Sequence, residues 1–209
     1  MRRVYIVRHG LTNSDAQGLV QTADSALSEE GIKQAEALAE RFCHLKFDHL
    51  LASDYKRAVE TAEYISAKTK KKVETSKLLR EMRRPSQYQN SPSSSPEYRA
   101  YLKLADENVA DKNWRMGDGE NFYDVLERIK GLFSLIEASD GDFVLITHAR
   151  MTKLITLYVM MKKQPDPLVW RIVMNNVITT NTGITSLVFN DKHGHWQLES
   201  FNDKAHFAE

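Results

Sequence analysis

The sequence has few of the residues that define several common protein classes. It contains one cysteine, Cys43, among 209 residues. A single cysteine cannot form a disulfide within the chain, and it excludes a cysteine-based zinc site built by one chain. Because disulfides are typical of oxidising compartments, their absence favours a reducing one, and we expect a cytoplasmic protein.

Long hydrophobic runs are also missing. Arg2 and Arg3 are followed by only four apolar residues, 4–7, which are too few for the core of a signal peptide. No run approaches the roughly 18 apolar residues that a membrane-spanning helix needs. We therefore expect a soluble protein that does not use a membrane as a partner.

Neither sign of charge is in excess. Lys and Arg total 29 residues and Asp and Glu total 28, which gives a formal net charge of +1. Such a balance produces no global field that would attract nucleic acid, and we predict no nucleic-acid partner. With 42% hydrophobic residues, the chain has the composition of a globular protein that can bury a substantial core.

Hydrophobic periodicity alternates between strand and helix patterns along the chain. Patterns typical of buried strands occur at residues 4–7, 49–52 and 143–146, with amphipathic helix patterns between and after them. Two further strand patterns, at residues 185–189 and 196–201, flank a polar turn and predict a closing hairpin. This order favours a three-layer α/β/α fold with a mainly parallel central sheet.

The periodic pattern breaks down in the middle of the chain. Several prolines and a run of three serines mark a long connection, in which a helix restarts at Pro96 behind a Ser95 cap. Long irregular segments in compact domains are usually lids or binding loops. We therefore predict a single domain over residues 1–209, in which residues 82–118 form a lid-like insertion that determines substrate specificity.

Reactive and anion-binding side chains follow three of the predicted strands. Arg8 and His9 end the first strand, Arg57 lies one helical turn beyond the second, and His148 follows the third. In open α/β sheets, ligands collect outside the carboxyl ends of the strands. Helix N-termini after the second and third strands add free N–H groups and partial positive charge. The pattern therefore predicts a pocket for a phosphate dianion.

Each of these residues alone has an ordinary structural interpretation. A histidine near a strand end is more often structural than catalytic. Arg57 by itself is typical of a solvated helix surface, and Glu81 is typical of a solvated loop. Their combination, in order and at suitable spacing, favours a functional site over separate structural roles.

Several short motifs occur in a definite order along the chain. They include RHGLT at residues 8–12, SDYKRA at 53–58, LRE at 79–81, GEN at 119–121 and VLITH at 144–148. This set resembles the signatures of the histidine phosphatase superfamily, the group that includes the phosphoglycerate mutases, over nearly the whole chain. The resemblance implies phosphoryl transfer through a transient phosphohistidine.

The resemblance also implies a role for each central residue. His9 is the expected nucleophile, and it must be neutral, with its second ring nitrogen held by a hydrogen bond. Arg8, Arg57 and His148 are expected to hold the non-bridging phosphate oxygens. Glu81 is expected to protonate the leaving oxygen and then to activate water. Further predicted contacts to phosphate or substrate are Thr12, Asn13, Gln21, Thr22 and Ala149.

Some positions differ from the usual family pattern. They are Leu11, Asp15, Thr22, Ala149 and Arg150. Asp15 stands where an Asn often binds phosphate, and a carboxylate there would repel the dianion, so either it points away or Asn13 takes that role. Arg150 either faces the pocket, which would favour a substrate with a second anionic group, or is an exposed charge on a helix.

The segment after Glu81 is expected to determine the substrate. Its cationic and aromatic residues are Arg83, Arg84, Tyr88, Tyr98, Tyr101, Trp114 and Arg115. These side chains either bind anionic or ring groups of a phosphorylated metabolite, or form a small core with solvated arginines around it.

The leading prediction is a metal-independent phosphatase that acts on a small phosphorylated metabolite without a cofactor. The chain has seven histidines, but it lacks a His-Glu-x-x-His motif, an acidic cluster for two metals and a Walker loop. One alternative is a phosphoglycerate-mutase-type phosphotransferase that uses the same intermediate; the segment after Glu81 lacks the Tyr-Gly and Gly-rich continuation of that group. The other is a non-catalytic phosphate-binding module, which would need neither nucleophile nor acid.

Overall fold

The computed structural model describes residues 2–207, which contain a central sheet covered by helices. In this part of the chain the strands are β1 (Arg3–Arg8), β2 (His49–Ala52), β3 (Val73–Thr75), β4 (Phe143–Thr147), β5 (Ile184–Asn190) and β6 (His195–Asp203). The α-helices are α1 (Asn13–Ala16), α2 (Glu29–Cys43), α3 (Lys56–Thr69), α4 (Pro96–Glu107), α5 (Phe122–Ala138), α6 (Ala149–Met160) and α7 (Pro167–Asn176). Short 3₁₀ turns lie at Lys77–Leu79, Ser86–Tyr88 and Ala205–Phe207.

The sheet has the strand order β3-β2-β4-β1-β5-β6. Strands β3, β2, β4 and β1 are parallel, whereas β5 and β6 form an antiparallel hairpin beside β1. The predicted mainly parallel sheet and its closing hairpin are confirmed. Because β2, β4 and β1 are neighbours with one direction, the residues that follow them meet at the same edge of the sheet.

Apolar side chains cover both faces of the sheet and give the fold its three layers. Successive residues of a strand point to opposite faces, so Leu145 joins one core and Ile146 joins the other. Helices α5 and α6 supply the first core, and α2 and α3 supply the second. The predicted α/β/α layering is confirmed. Within residues 2–207, the helices are too short or too polar to cross a membrane.

Polar side chains cap the N-termini of α2 and α4. The Ser28 hydroxyl accepts a hydrogen bond from the Gly31 N–H at the start of α2. At the start of α4, the Ser95 hydroxyl accepts from the Tyr98 N–H, and Pro96 occupies the first turn. The predicted helix restart behind Ser95 is therefore confirmed, and it gives the insertion a regular element.

Residues 82–118 carry α4 and a small apolar core of their own. Tyr98 and Tyr101 of α4 are buried, and their rings lie 5.5 and 5.2 Å from the ring of Tyr88. Val20 packs against them from outside the insertion. Of the two interpretations left open for these aromatics, the structure favours a packed core. The insertion is therefore held together by a small apolar core of its own.

Two elements are not evident from hydrophobic periodicity. Strand β3 has three residues and lies at the edge of the sheet, where only Val73 is even half-buried. Helix α7 buries Trp170 but exposes Leu168 and Ile172, so its apolar residues do not form one buried stripe. Such elements depend on tertiary contacts that the local pattern does not report.

Candidate active site

His9 follows β1 and is almost completely buried, with 2% of its surface exposed. Its Nδ1 lies 2.7 Å from the carbonyl oxygen of Gly10, and its Nε2 lies 3.1 Å from the Nε of Arg57. A carbonyl oxygen only accepts and a guanidinium N–H only donates. Nδ1 therefore carries the proton, and Nε2 keeps its lone pair.

The environment of His9 also determines its charge. Burial, together with the positive charges of Arg57 and Arg8, lowers the pKa of His9 well below its usual range. A histidine of low pKa is neutral at pH 7, which is the form that can act as a nucleophile or a ligand. His9 is therefore an uncharged imidazole held in one tautomer.

Arg57 is delivered by the first turn of α3 and is 2% exposed. Besides its bond to His9, it donates through Nη1 to the carbonyl oxygen of Thr22 at 2.8 Å. Burial lowers the pKa of Arg57 to about 10. The guanidinium thus remains charged at neutral pH, and two hydrogen bonds hold its plane in place.

Arg8, the last residue of β1, supplies a second cation. Its Nη1 donates to the carbonyl oxygen of Thr179 at 2.8 Å. Its Nε is buried and has no hydrogen-bond partner among the described residues. Burial lowers the pKa of Arg8 below its ordinary value. An oriented but unsatisfied N–H beside the nucleophile is a donor that a bound anion can use.

His148 occupies the position directly before α6, at the carboxyl end of β4, and is completely buried. The centroid of its ring lies 5.1 Å from that of His9. Burial and the charge of Arg57 lower the pKa of His148 well below its usual range. Neither ring nitrogen has a hydrogen-bond partner within residues 2–207. Because buried polar atoms are nearly always paired, this arrangement indicates a position for a hydrogen-bonding ligand.

Glu81 supplies a carboxyl group held by two backbone donors. Its Oε1 accepts from the Met82 N–H at 2.9 Å, and its Oε2 accepts from the Arg150 N–H at 3.1 Å. The second donor belongs to the first turn of α6, so the carboxyl group is tied to the same helix start that follows His148. This fixes the orientation of Glu81 within the site.

A cavity of about 370 Å³ opens beside His9. Its lining in the described part of the chain contains five arginines and three carboxylates, so its charge favours an anion. The sequence-predicted residues that line it are Arg8, His9, Gln21, Thr22, Arg57, Glu81 and Ala149. Residues whose orientation the sequence left open, and which also line it, are Asp15, Arg83, Arg84 and Arg150. The structure thus brings together side chains from β1, α3, α6 and the insertion.

Two predicted phosphate contacts, Thr12 and Asn13, are engaged with other parts of the protein. The hydroxyl of Thr12 is buried, caps α1 by accepting from the Asp15 N–H at 3.0 Å, and also accepts from Gln21 Nε2 at 2.8 Å. Asn13 is exposed and donates to the carbonyl oxygen of Leu27 at 3.3 Å. Neither residue lines the cavity, and the fully buried His148 does not line it either. Thr12 instead positions Gln21, which does line it.

Asp15 faces the cavity rather than pointing away from it. Its Oδ2 lies 3.8 Å from Nη2 of Arg8, so the repulsion between this carboxylate and a phosphate is offset by a neighbouring cation. Asn13 does not replace Asp15 at the cavity, because its amide binds the Leu27 carbonyl. The departure from the family pattern therefore places an acidic group at the site.

Tyr55 is a site residue for which the sequence pattern indicated no role. Its ring lies 5.4 Å from the ring of His148, and the Cζ of Arg57 lies 5.1 Å from its centroid. Cation–π contact of this kind restrains an arginine while leaving its N–H groups free. The only available signal was its position inside the SDYKRA motif, at the start of α3.

Known proteins are similar to this chain over nearly its whole length. A family model for the histidine phosphatase superfamily (branch 1) matches residues 4–204. Phosphoglycerate mutase-like protein 4 of Arabidopsis thaliana is 29% identical over 216 residues, which cover 99% of this chain and 87% of that protein. A probable phosphoglycerate mutase of Proteus mirabilis is 37% identical over 83 residues, which span only 39% of this chain and 39% of that protein.

Solved structures share the fold. A mycobacterial glucosyl-3-phosphoglycerate phosphatase in complex with VO3 has a TM-score of 0.80 at 23% identity, covering 98% of this chain and 100% of that one. A phosphoserine phosphatase mutant of Entamoeba histolytica in complex with phosphoserine has a TM-score of 0.75 at 21% identity, covering 99% and 100%. The fold is common to all three chains, and the family match extends over nearly the whole sequence. The chain belongs to the histidine phosphatase superfamily.

Proposed function

We propose that the protein is a phosphatase that hydrolyses phosphate monoesters of small metabolites through a phosphohistidine on His9, without a metal ion. The observation that carries the proposal is the tautomer of His9. Its hydrogen bonds leave an unprotonated Nε2 in a neutral ring at a cationic cavity. That combination is what nucleophilic attack on phosphorus requires.

In the first step, Nε2 of His9 attacks phosphorus and the bond from phosphorus to the ester oxygen breaks. Glu81, in its protonated form, gives its proton to the leaving oxygen. The positive charge that develops on the imidazole is stabilised by the Nδ1–H bond to the Gly10 carbonyl. The Nε–H of Arg57, released from His9, turns to a phosphoryl oxygen.

In the second step, water attacks the phosphohistidine and the bond from phosphorus to Nε2 breaks. The Glu81 carboxylate accepts a proton from the water, which returns both residues to their starting states. The buried N–H groups of Arg8 and His148, which have no hydrogen-bond partner among residues 2–207, supply further donors to the phosphoryl oxygens. Removing one such preorganised donor typically costs about 10²–10³ in rate.

In this proposal, arginine side chains instead of a metal ion neutralise the charge on the phosphoryl oxygens. Within residues 2–207, no group of three or more His, Cys, Asp or Glu side chains is arranged to hold a metal ion. The charges of Arg8 and Arg57 lie beside the nucleophile instead and would neutralise the phosphoryl oxygens.

The experiment is a phosphatase screen with a panel of monoesters in excess EDTA. We expect phosphate release that survives chelation and is lost in His9→Ala, while His193→Ala, a change in an exposed hairpin histidine, retains wild-type rates. Activity that disappears with EDTA and returns with added metal would contradict the proposal. So would a fully active His9→Ala protein.

A phosphotransferase of the mutase type is the second candidate. The Arabidopsis relative that matches 99% of this chain is named phosphoglycerate mutase-like protein 4. Such a phosphotransferase would use the same intermediate but return phosphate to a sugar acid. Incubation with 3-phosphoglycerate and 2,3-bisphosphoglycerate separates the two. A mutase forms 2-phosphoglycerate, whereas a phosphatase releases inorganic phosphate.

A further inference from the structure

Two arginines outside the proposed reaction chemistry lie between the site and a second cavity. This second cavity has a volume of about 570 Å³, and four residues of its lining also line the cavity beside His9. Arg84 and Arg150 are two of them; one comes from the insertion and the other from the first turn of α6. Their side chains therefore stand where the two cavities meet.

Neither guanidinium has a carboxylate in direct contact with it in the described part of the chain, although the charge of Glu81 acts favourably on Arg150. Within residues 2–207, no carboxylate forms an ion pair with Arg84 or Arg150, and the side chain of Arg150 makes no hydrogen bond. The Nε of Arg84 is buried and has no partner in the same part of the chain. Burial and the neighbouring charge of Arg84 lower the pKa of Arg150. Two neighbouring cations that lack a directly contacting carboxylate are stabilised when an anion binds between them.

Two carboxylates near the arginines, Glu81 and Glu120, are bound to other groups. Glu120, which lines the second cavity, forms an ion pair with Arg128 at 2.9 Å. Glu81 contacts Arg150 only through the backbone N–H, with its other oxygen bound to the Met82 N–H. Glu81 and Glu120 therefore form no ion pair with the two guanidinium groups, which remain able to bind a ligand.

Arg84 is held in position before any ligand binds. Its Nη1 donates to the Tyr101 hydroxyl at 3.2 Å, and its Cζ lies 5.5 Å from the centroid of that ring. Tyr101 itself stacks on Tyr88 with 27° between the ring planes. A guanidinium restrained in this way loses little conformational entropy when it binds an anion.

Resting on the proposed function, we propose that Arg84 and Arg150 form a subsite for a second anionic group of the substrate, a carboxylate or a second phosphate. The hydrolysed phosphate occupies the position beside His9. The second group binds the two guanidinium groups at the junction of the cavities. The substrate class is thus a phosphate monoester that carries another anion on the same molecule.

The kinetic test compares matched esters that differ in one anionic group. One pair is glycerol 3-phosphate and 3-phosphoglycerate, and the other is glucose 6-phosphate and glucose 1,6-bisphosphate. We expect kcat/KM, measured by phosphate release, to favour the second member of at least one pair by about 10- to 100-fold, as charge-assisted hydrogen bonds do. Preference in the first pair identifies a carboxylate, and preference in the second identifies a phosphate.

Arg84→Gln and Arg150→Gln are expected to reduce this preference to near unity. The ratio within a pair is the readout because Arg150 lies close to Glu81, and the ratio cancels any change common to both esters. Arg99→Gln is the matched control, since Arg99 is an exposed arginine of α4 that lines neither cavity. Equal rates within both pairs for the wild type, or a preference that both variants retain, would overturn the subsite.

A binding experiment separates this inference from the proposed reaction. His9→Ala protein is titrated calorimetrically with the members of both pairs, so that binding is measured without turnover. In each pair, the second member carries one additional anionic group. Tighter binding of that member, lost when Arg84→Gln is combined with His9→Ala, supports the subsite even if the wild type hydrolyses no ester. Equal affinities within both pairs would overturn the subsite while leaving phosphatase activity untouched.

Discussion

At the scale of single residues, the proposed chemistry depends on two hydrogen bonds on opposite sides of one ring. The Gly10 carbonyl takes the proton of Nδ1, and Arg57 presents an N–H to Nε2 of His9. The hydrogen bond from Arg57 thus shows that Nε2 is the unprotonated nitrogen of His9. In the proposal, the same arginine then binds the phosphoryl group. Its planar shape matters as much as its charge.

We expect Arg57→Lys to be almost as damaging as Arg57→Gln. Lysine keeps the charge but cannot donate to Nε2 of His9 and to the Thr22 carbonyl from one rigid plane. Both variants should lower kcat/KM for p-nitrophenyl phosphate by about 10²-fold or more, measured by steady-state kinetics.

Arg99→Lys is the control for this exchange, because that side chain is exposed and outside the cavity. Near-wild-type kcat/KM in Arg57→Lys would show that charge alone is sufficient and that the geometry of Arg57 has no part in the reaction.

Residue positions inside motifs were predicted better than the directions of side chains. His9 and Arg57 line the cavity because a strand end and a helix start place them there, and Glu81 lines it from the irregular segment after Lys77–Leu79. Thr12 does not, since a hydroxyl directly before α1 satisfies that helix start instead of a ligand. A hydroxyl can bind either a helix N-terminus or a ligand, and the local backbone turn determines which. The sequence pattern does not predict that turn.

At the scale of elements, α5 links the insertion to the rest of the fold. Asn121 caps this helix by accepting from the N–H groups of Tyr123 and Asp124, and its Nδ2 donates to the carbonyl oxygens of Lys112 and Trp114. One side chain therefore completes the start of α5 and also holds the end of the loop that precedes it.

Asn121→Ala is expected to lower the free energy of unfolding by about 1–3 kcal/mol, because it removes both the cap and the buried bonds to the loop. Denaturant titration provides the measurement. Asn176→Ala, at the exposed end of α7, should change stability by about 0.5 kcal/mol or less. An Asn121→Ala protein as stable as that control would show that the loop and α5 hold together without this residue.

The central strands could be predicted because each is a short apolar run next to a helix pattern. Residues 49–52 coincide with β2, and the predicted run at 143–146 extends by one residue to Thr147. β3 and α7 lack such a signal, since β3 is an edge strand of three residues and α7 leaves Ile172 in solvent. The regular secondary structure of β3 and α7 therefore depends on their position in the fold rather than on their local composition.

At the scale of the whole molecule, two buried histidines and one partly buried histidine are held in a neutral form. Burial lowers the pKa of His206 to about 4, and it lowers the pKa of His9 and His148 well below the usual range. In the unfolded chain these groups take up protons near pH 6.5, whereas the folded chain takes them up only at lower pH. The unfolded state therefore binds more protons, and acid favours it.

The melting temperature should accordingly fall as the pH is lowered from 7 to 4. His206→Gln should reduce this dependence, since it removes one group whose pKa differs between the folded and unfolded states. Exposed His193 serves as the comparison, and His193→Gln should leave the slope unchanged. Differential scanning calorimetry across this range measures both, and identical slopes in wild type and His206→Gln would refute the assignment.

The strand order has a consequence for synthesis on the ribosome. Strand β1 emerges first, yet both of its neighbours, β4 and β5, are made long afterwards. Until Thr147 has left the exit tunnel, β1 has neither of its native partners, and its unpaired backbone is open to pairing with other nascent chains. Because His9 and His148 meet only when β4 enters between β2 and β1, a partly translated chain has no assembled pocket, and chaperones would shield it until then.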